Sequence, residues 1–269
     1  MTRASLRTLS LLLAAIVVAP VALAGAKQPK YKSPTCIAFS PQGNLAYVTN
    51  HTADSVSVID AASGKVAAEV PVGRGPTGIA ASADGKWVYV ANTRDHSVSV
   101  VNCQTRKAVA AISCGFEPTG VALSRDGGRL YTANLISDDV SVIDTTARKE
   151  VKRIPAGRAP TYLALTPDGK RLLVNHLLSA EPATNPKLTT AVSVIDTAQG
   201  KVVAQKRSPG TMLLGQGITV SPDGRFAFCV HSRPNFNVTP SQLAQGWVHT
   251  NALTAIPLAA DAKAKPFTV

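Results

Sequence analysis

A β-propeller of four-stranded blades is the all-β fold that this 269-residue chain predicts. Two features predict it, a repeat with a period of 42 residues and the strand-and-turn content of each repeat. Pro34, Pro76, Pro118 and Pro160 recur at that spacing, and the same offset superposes Gly43, Gly85, Gly127 and Gly169, then Tyr47, Tyr89 and Tyr131. A fifth unit is recognisable in GITVSPDGRFAFCVH. The units occupy approximately residues 34–73, 76–115, 118–157, 160–208 and 211–269.

Each unit contains four apolar, β-type runs divided by turn residues, as in PTGIAAS, a DG turn, VYVAN, a polar loop, VSVV and KAVAAIS. One twisted sheet cannot bury both of its faces, whereas sheets stacked radially bury each other. Ala38, Ala80, Ala122 and Ala164 fall on the first strand, the innermost and most crowded position. Seven acids (Asp60, Asp84, Asp126, Asp144, Asp168, Asp196, Asp223) recur at turns or strand ends. An Asp before Gly ties a turn to its own backbone, so these are read as architecture.

At these residues the chain resembles the YVTN family of β-propeller repeat proteins. AYVTN at 46–50 carries the family motif, VYVAN at 88–92 and LYTAN at 130–134 are variants, and SPDG recurs at 221–224. The resemblance covers roughly residues 34–269 and speaks to fold, since the shared residues make strands and turns. QLAQGWVHTNAL at 242–253 is similar to the propeller portion of larger exported bacterial proteins with a c-type haem peroxidase-like module after the propeller. This implies a periplasmic redox setting, with a c-type cytochrome as one partner. The chain has no CxxCH of its own.

Residues 1–24 read as a signal peptide, with Arg3 and Arg7 before an apolar run and small residues at its end, followed by a propeller domain over 25–269. Pro20 interrupts the run, which is shorter than the ~20 residues of a spanning helix. A periplasmic or secreted protein with no transmembrane segment in its mature chain is expected. Loss of two arginines lowers the net charge from +12 to about +10, which favours an acidic ligand or protein. In an oxidising compartment Cys36, Cys103, Cys114 and Cys229 are permitted to pair.

The repeat breaks in its last two units. Ser40 to Asp60, Ser82 to Asn102 and Ser124 to Asp144 are equal spans, while Thr166 to Asp196 and Ser221 to Pro257 are longer. Both insertions fall between the second and third strands, on the face that also carries the blade-to-blade loops, where one-sided loops build binding surfaces. Arg74, Arg94, Glu117, Arg158 and Arg233 are expected there. His176 and His231 replace Asn50, Asn92 and Asn134 at the same repeat position. They are read either as hydrogen-bonding anchors of longer loops or, with Glu117, as candidate metal ligands. His249, Trp247 and Phe236 lie in the second insertion as a contact surface or a small loop core. NVT at 237–239 matches a glycosylation acceptor.

The residues carry no GxSxG, HExxH, Walker loop or CxxCH, so no cofactor is expected and a non-catalytic binding scaffold leads. Three alternatives stand beside it: the propeller part of a redox system, a lactonase-like or quinoprotein-like enzyme, and nucleic-acid binding through charge and aromatics. The visible blades fit either a five-bladed propeller or a truncated seven-bladed one.

Overall fold

The computed structural model describes residues 31–179, 191–207, 213–234, 249–258 and 267–268. The expected signal segment, Phe236, Trp247 and the NVT tripeptide lie outside the described residues. The first blade is β1 (Pro34–Phe39), β2 (Leu45–Asn50), β3 (Ser55–Asp60) and β4 (Val66–Pro71). The second is β5 (Pro76–Ala81), β6 (Trp87–Asn92), β7 (Ser97–Asn102) and β8 (Lys107–Ser113), with a short 3-10 turn at Thr93–Asp95. The third is β9 (Pro118–Leu123), β10 (Arg129–Asn134), β11 (Asp139–Asp144) and β12 (Lys149–Pro155). The fourth is β13 (Pro160–Leu165), β14 (Arg171–His176), β15 (Ala191–Asp196) and β16 (Lys201–Arg207). The fifth is β17 (Leu213–Val220), β18 (Phe226–Pro234), β19 (His249–Pro257) and β20 (Phe267–Thr268).

Every blade is an antiparallel meander in sequence order, so the five sheets form the predicted five-bladed propeller. Register is copied with the repeat. Ala38 pairs with Tyr47, which pairs with Val58, and the same rows recur as Ala80, Tyr89 and Val100, then Ala122, Tyr131 and Val142. The turns explain why. Asp84 accepts from the Ser82 hydroxyl at 2.6 Å and the Lys86 amide at 3.0 Å, while Gly85 closes the turn at φ 70°, a left-handed conformation that Gly adopts freely. Asp126, Asp168 and Asp223 repeat this arrangement.

Apolar residues are buried between blades. Tyr47, Val56, Val58 and Val70 of the first blade meet Ile79, Val88, Val90 and Val101 of the second. Tyr131, Val140, Val142 and Ile154 meet Leu163, Leu172, Val174 and Ile195 in the same way. Each fully buried Val, Leu or Ile contributes roughly 1.5–3 kcal/mol of transfer free energy. Near the axis the blades are also latched by polar contacts, with Thr77 Oγ1 donating to Thr119 O at 3.0 Å and Thr119 Oγ1 to Thr161 O at 2.8 Å.

Contacts between inner strands join β1 to β5, β5 to β9, β9 to β13 and β13 to β17. Among the described residues the outer sheet faces of the first and fifth blades are less covered than those between neighbouring blades. Ile37 is 53% exposed, although its repeat equivalents Ile79 and Leu163 are 7% and 9% exposed. At the other end Val230 and Leu253 are each 42% exposed, where their equivalents Ala91 and Val98 are fully buried. All four cysteines are unpaired, with Cys114 and Cys229 buried. Burial pushes both of these thiols up to about 12, so they behave as small apolar core residues.

Candidate functional site: the loop face

The face between second and third strands is assembled from three repeat positions. The first is the last residue of the second strand. Asn50 donates to Ser55 and Ser57 hydroxyls at 3.2 and 2.8 Å, Asn92 to Ser97 and Ser99 at 3.1 and 2.9 Å, and Asn134 to Asp139 and Ser141 at 2.6 and 2.7 Å. The amide thus pins the start of the third strand and the loop between them. The second position is a glycine of the preceding blade-to-blade loop. A Cβ on Gly73 would lie 2.5 Å from Asn92 Nδ2, and one on Gly115 would lie 2.3 Å from Asn134 Nδ2.

The third position is a left-handed residue just before the third strand, Asp54, His96 or Asp138, with φ of 51°, 51° and 58°. Each accepts a backbone hydrogen bond from the incoming loop of the next blade: Gly75 N to Asp54 Oδ1 at 2.8 Å, Glu117 N to His96 Nδ1 at 3.1 Å, and Ala159 N to Asp138 Oδ1 at 2.7 Å. His96 therefore stands in for an aspartate, and its Nδ1 is an unprotonated acceptor in that role.

His176 occupies the Asn position of the fourth blade and is 4% exposed. Its Nδ1 donates to Arg158 O at 2.9 Å, and its Nε2 lies 2.9 Å from Ser193 Oγ, which is also 2.8 Å from Ala156 O. Burial lowers the His176 pKa, against the upward pull of the Arg158 carbonyl and Asp138. With its proton on Nδ1 the neutral ring offers Nε2 as an acceptor to the Ser193 hydroxyl, which also donates to Ala156 O. His231 is fully buried, with Nε2 2.8 Å from Thr254 Oγ1, the counterpart of Ser99. Both rings reach the serine or threonine that an asparagine reaches in the first three blades.

The charged positions are distributed around this frame. Arg74 is held by Asp95, through its amide at 2.7 Å and its Nε at 2.5 Å. Arg94 is exposed, with its stem against Gly75. Glu117 is in the left-handed region at φ 54° and accepts from Leu135 N at 2.9 Å. Arg158 is exposed and donates to Ser179 O at 3.1 Å, tying its loop to the start of the first insertion. Arg233 and His249 belong to paired strands β18 and β19, and their side chains lie outside the described residues. No group of three metal-binding side chains occurs among the described residues, so His176, His231 and Glu117 are not brought together.

Asp139 departs from its repeat equivalents Ser55 and Ser97. Its desolvation raises its pKa above the ordinary carboxylate range despite the Asn134 hydrogen bond and nearby Arg153. A raised folded-state pKa contributes stability fully below the unfolded carboxylate range and loses it as pH rises through the folded value. Asp139→Ser keeps an acceptor for Asn134 and removes the desolvated charge. Thermal unfolding should show a gain of roughly 1–4 °C over wild type at pH 7, shrinking toward pH 4.

On the axis, an open cavity of about 430 Å³ is lined by Thr77, Thr119, Thr161, Gly78, Gly120 and apolar residues, with Cys36 and Tyr162 at its wall. Tyr162 stands where the second, third and fifth blades have glycine. Its hydroxyl pKa is raised by burial and by the nearby Cys36 thiol.

Comparison with known proteins finds one family model and a solved structure that resemble this frame. The family model described as cytochrome D1 heme domain matches residues 40–163, the regular blades before the insertions. Kuenenia stuttgartiensis hydrazine synthase is similar in structure, with a TM-score of 0.80 and 28% sequence identity, over 92% of this chain and 68% of that one. No curated protein sequence matches. No helix among the described residues is long and apolar enough to cross a membrane.

A haem needs an axial donor and, for its propionates, cationic or hydrogen-bonding partners. The described residues do not meet that need. His176 and His231 are engaged inside blades, and His96 Nδ1 receives Glu117 N. His51 Nδ1 is buried, and its ring packs against the Gly75 loop. The axial cavity has no histidine and no cationic side chain in its lining. No haem-dependent step is derived from these residues.

Proposed function

We propose that this chain is an exported propeller scaffold that holds a haem-carrying redox protein on its loop face. The cytochrome D1 heme domain match carries the haem setting of this reading, and the similarity to hydrazine synthase over 92% of the chain supports the propeller frame. The absence of a haem-holding set among the described residues favours a scaffold over a haem-binding subunit. On this reading residues 1–24 are an export leader, the repeat is of the YVTN kind, and the partner is a c-type cytochrome with an acidic docking surface. Arg74, Arg94 and Arg158, with Trp247 in the second insertion and Arg233 and His249 flanking it, form the contact. Steering by the net charge of about +10 that is left without the leader's two arginines would make association faster at low ionic strength.

Gentle purification of the tagged chain from its own cell envelope, followed by native mass and Soret absorbance, tests the proposal. A particle heavier than the chain, with haem on a second polypeptide, is the expected result. Joint Arg74→Glu and Arg158→Glu substitution should remove that second polypeptide while leaving the melting temperature within a few degrees of wild type. A haem-free native particle overturns the reading, and so does stoichiometric haem on the isolated chain.

A further inference from the structure

The face opposite the insertions carries a groove of about 600 Å³ between the second and third blades. It is framed by the first hairpin of each blade and by the β11–β12 turn, so it shares no residue with the loop face. Three of its side chains stand at repeat positions that vary from blade to blade. Trp87 stands where the other blades have Leu45, Arg129, Arg171 and Phe226, Arg125 where they have Pro41, Ala83, Pro167 and Pro222, and Arg148, like Arg106, where the first and fourth have Gly64 and Gly200. Only between the second and third blades do a Trp and two such Arg side chains line one groove.

Arg148 also departs from what its backbone favours. Its φ is 51°, in the left-handed turn position where Gly64 and Gly200 have 66° and 60°. A side chain there is strained, and such strain concentrates at functional positions. Arg106 shares this position and its guanidinium donates to Ala67 O at 3.1 Å. Arg148 instead lies over the Trp87 ring, 5.2 Å from its centroid, and both side chains line the groove. Arg125 is exposed at the rim. The groove's two acids already have work: Asp84 and Asp126 close their own hairpins, and Asp84 also faces Lys86 Nζ at 3.7 Å. Tyr89 forms the floor, with its hydroxyl paired to Thr145.

We propose that this groove binds a flat aromatic carboxylate. The ring packs against the Trp87 indole, and the carboxylate accepts from the Arg148 guanidinium, with Arg125 adding a second cation. Arg and indole together select for a molecule that is both planar and anionic, since a neutral ring forgoes the charge-assisted bonds and a puckered acid forgoes the stacking.

The test is titration calorimetry of the full chain with 1-naphthoate, using cyclohexanecarboxylate and 1-naphthol as controls. Saturable binding of 1-naphthoate is expected, with both controls weaker by at least about tenfold. The repeat supplies folding-safe variants. Arg148→Gly copies Gly64 and should weaken binding at least about tenfold while holding or raising the melting temperature, because Gly relieves the left-handed strain. Trp87→Leu copies Leu45 and should weaken 1-naphthoate while leaving cyclohexanecarboxylate unchanged. No saturable binding of 1-naphthoate, equal binding of all three probes, or binding unaffected by Arg148→Gly would each overturn the proposal.

Discussion

Gly120→Ala should lower stability by on the order of 3 kcal/mol, whereas Gly217→Ala, at the same repeat position, should stay within about 0.5 kcal/mol of wild type. The difference comes from what each residue faces. A Cβ on Gly120 would lie 2.4 Å from the Thr161 carbonyl oxygen of the next blade and 3.0 Å from Tyr162 Cα. Gly78 faces Thr119 O at 2.3 Å in the same way. These obstacles are backbone, held by strand pairing, so relief requires the inner strands to separate. Separation would also stretch the Thr119 Oγ1 bond to Thr161 O. Among the described residues nothing lies within 4 Å of a Cβ position on Gly217. Paired melting curves of the two variants check both claims. A destabilised Gly217→Ala would mean that something covers the end face of the fifth blade in solution.

That contrast also shows how far the sequence could be read. The 42-residue period, the DG turns and the tyrosine rows fixed the blades, because each unit repeats the same short-range chemistry. The insertions at 177–190 and 235–248 fall between β14 and β15 and between β18 and β19, where the lengthened spans in the repeat indicated. What the period does not contain is what faces what between neighbouring blades. Gly73 and Asn92 are separate marks in the alignment, and only in three dimensions does the glycine make room for the amide. The groove residues were legible in principle, since Trp87, Arg125 and Arg148 all stand at positions that vary between the repeats. Attention to the long insertions passes over such single-residue variation. The exposure of the first blade has no local sequence signal either. Ile37 and Ile79 are the same residue type in the same motif, yet the first is 53% exposed and the second 7%.

His176→Ala should cost about 2–4 kcal/mol, and His176→Asn should recover more than half of it. Removing the ring leaves a buried void and withdraws partners from Ser193 Oγ and Arg158 O, both bonded to the imidazole at 2.9 Å. Asparagine is the repeat's own solution at this position, donating to the equivalent serine hydroxyl at 2.8 Å in Asn50 and 2.9 Å in Asn92. Gly157, with its Cβ position 3.2 Å from His176 Cε1, already provides the space that Gly73 and Gly115 provide for an amide. The two residues should separate in acid. Because burial lowers the folded-state pKa of His176 below the ordinary histidine value of 6.5, its stabilising contribution is complete above that value. It is lost as pH falls through the lower folded value, since the unfolded chain takes up the proton first. Wild type should therefore lose stability relative to His176→Asn as pH falls below about 6.5. Equal acid sensitivity of the two proteins would place the titrating group elsewhere. Failure of asparagine to recover stability would mean that the ring does something a hydrogen-bonding anchor does not.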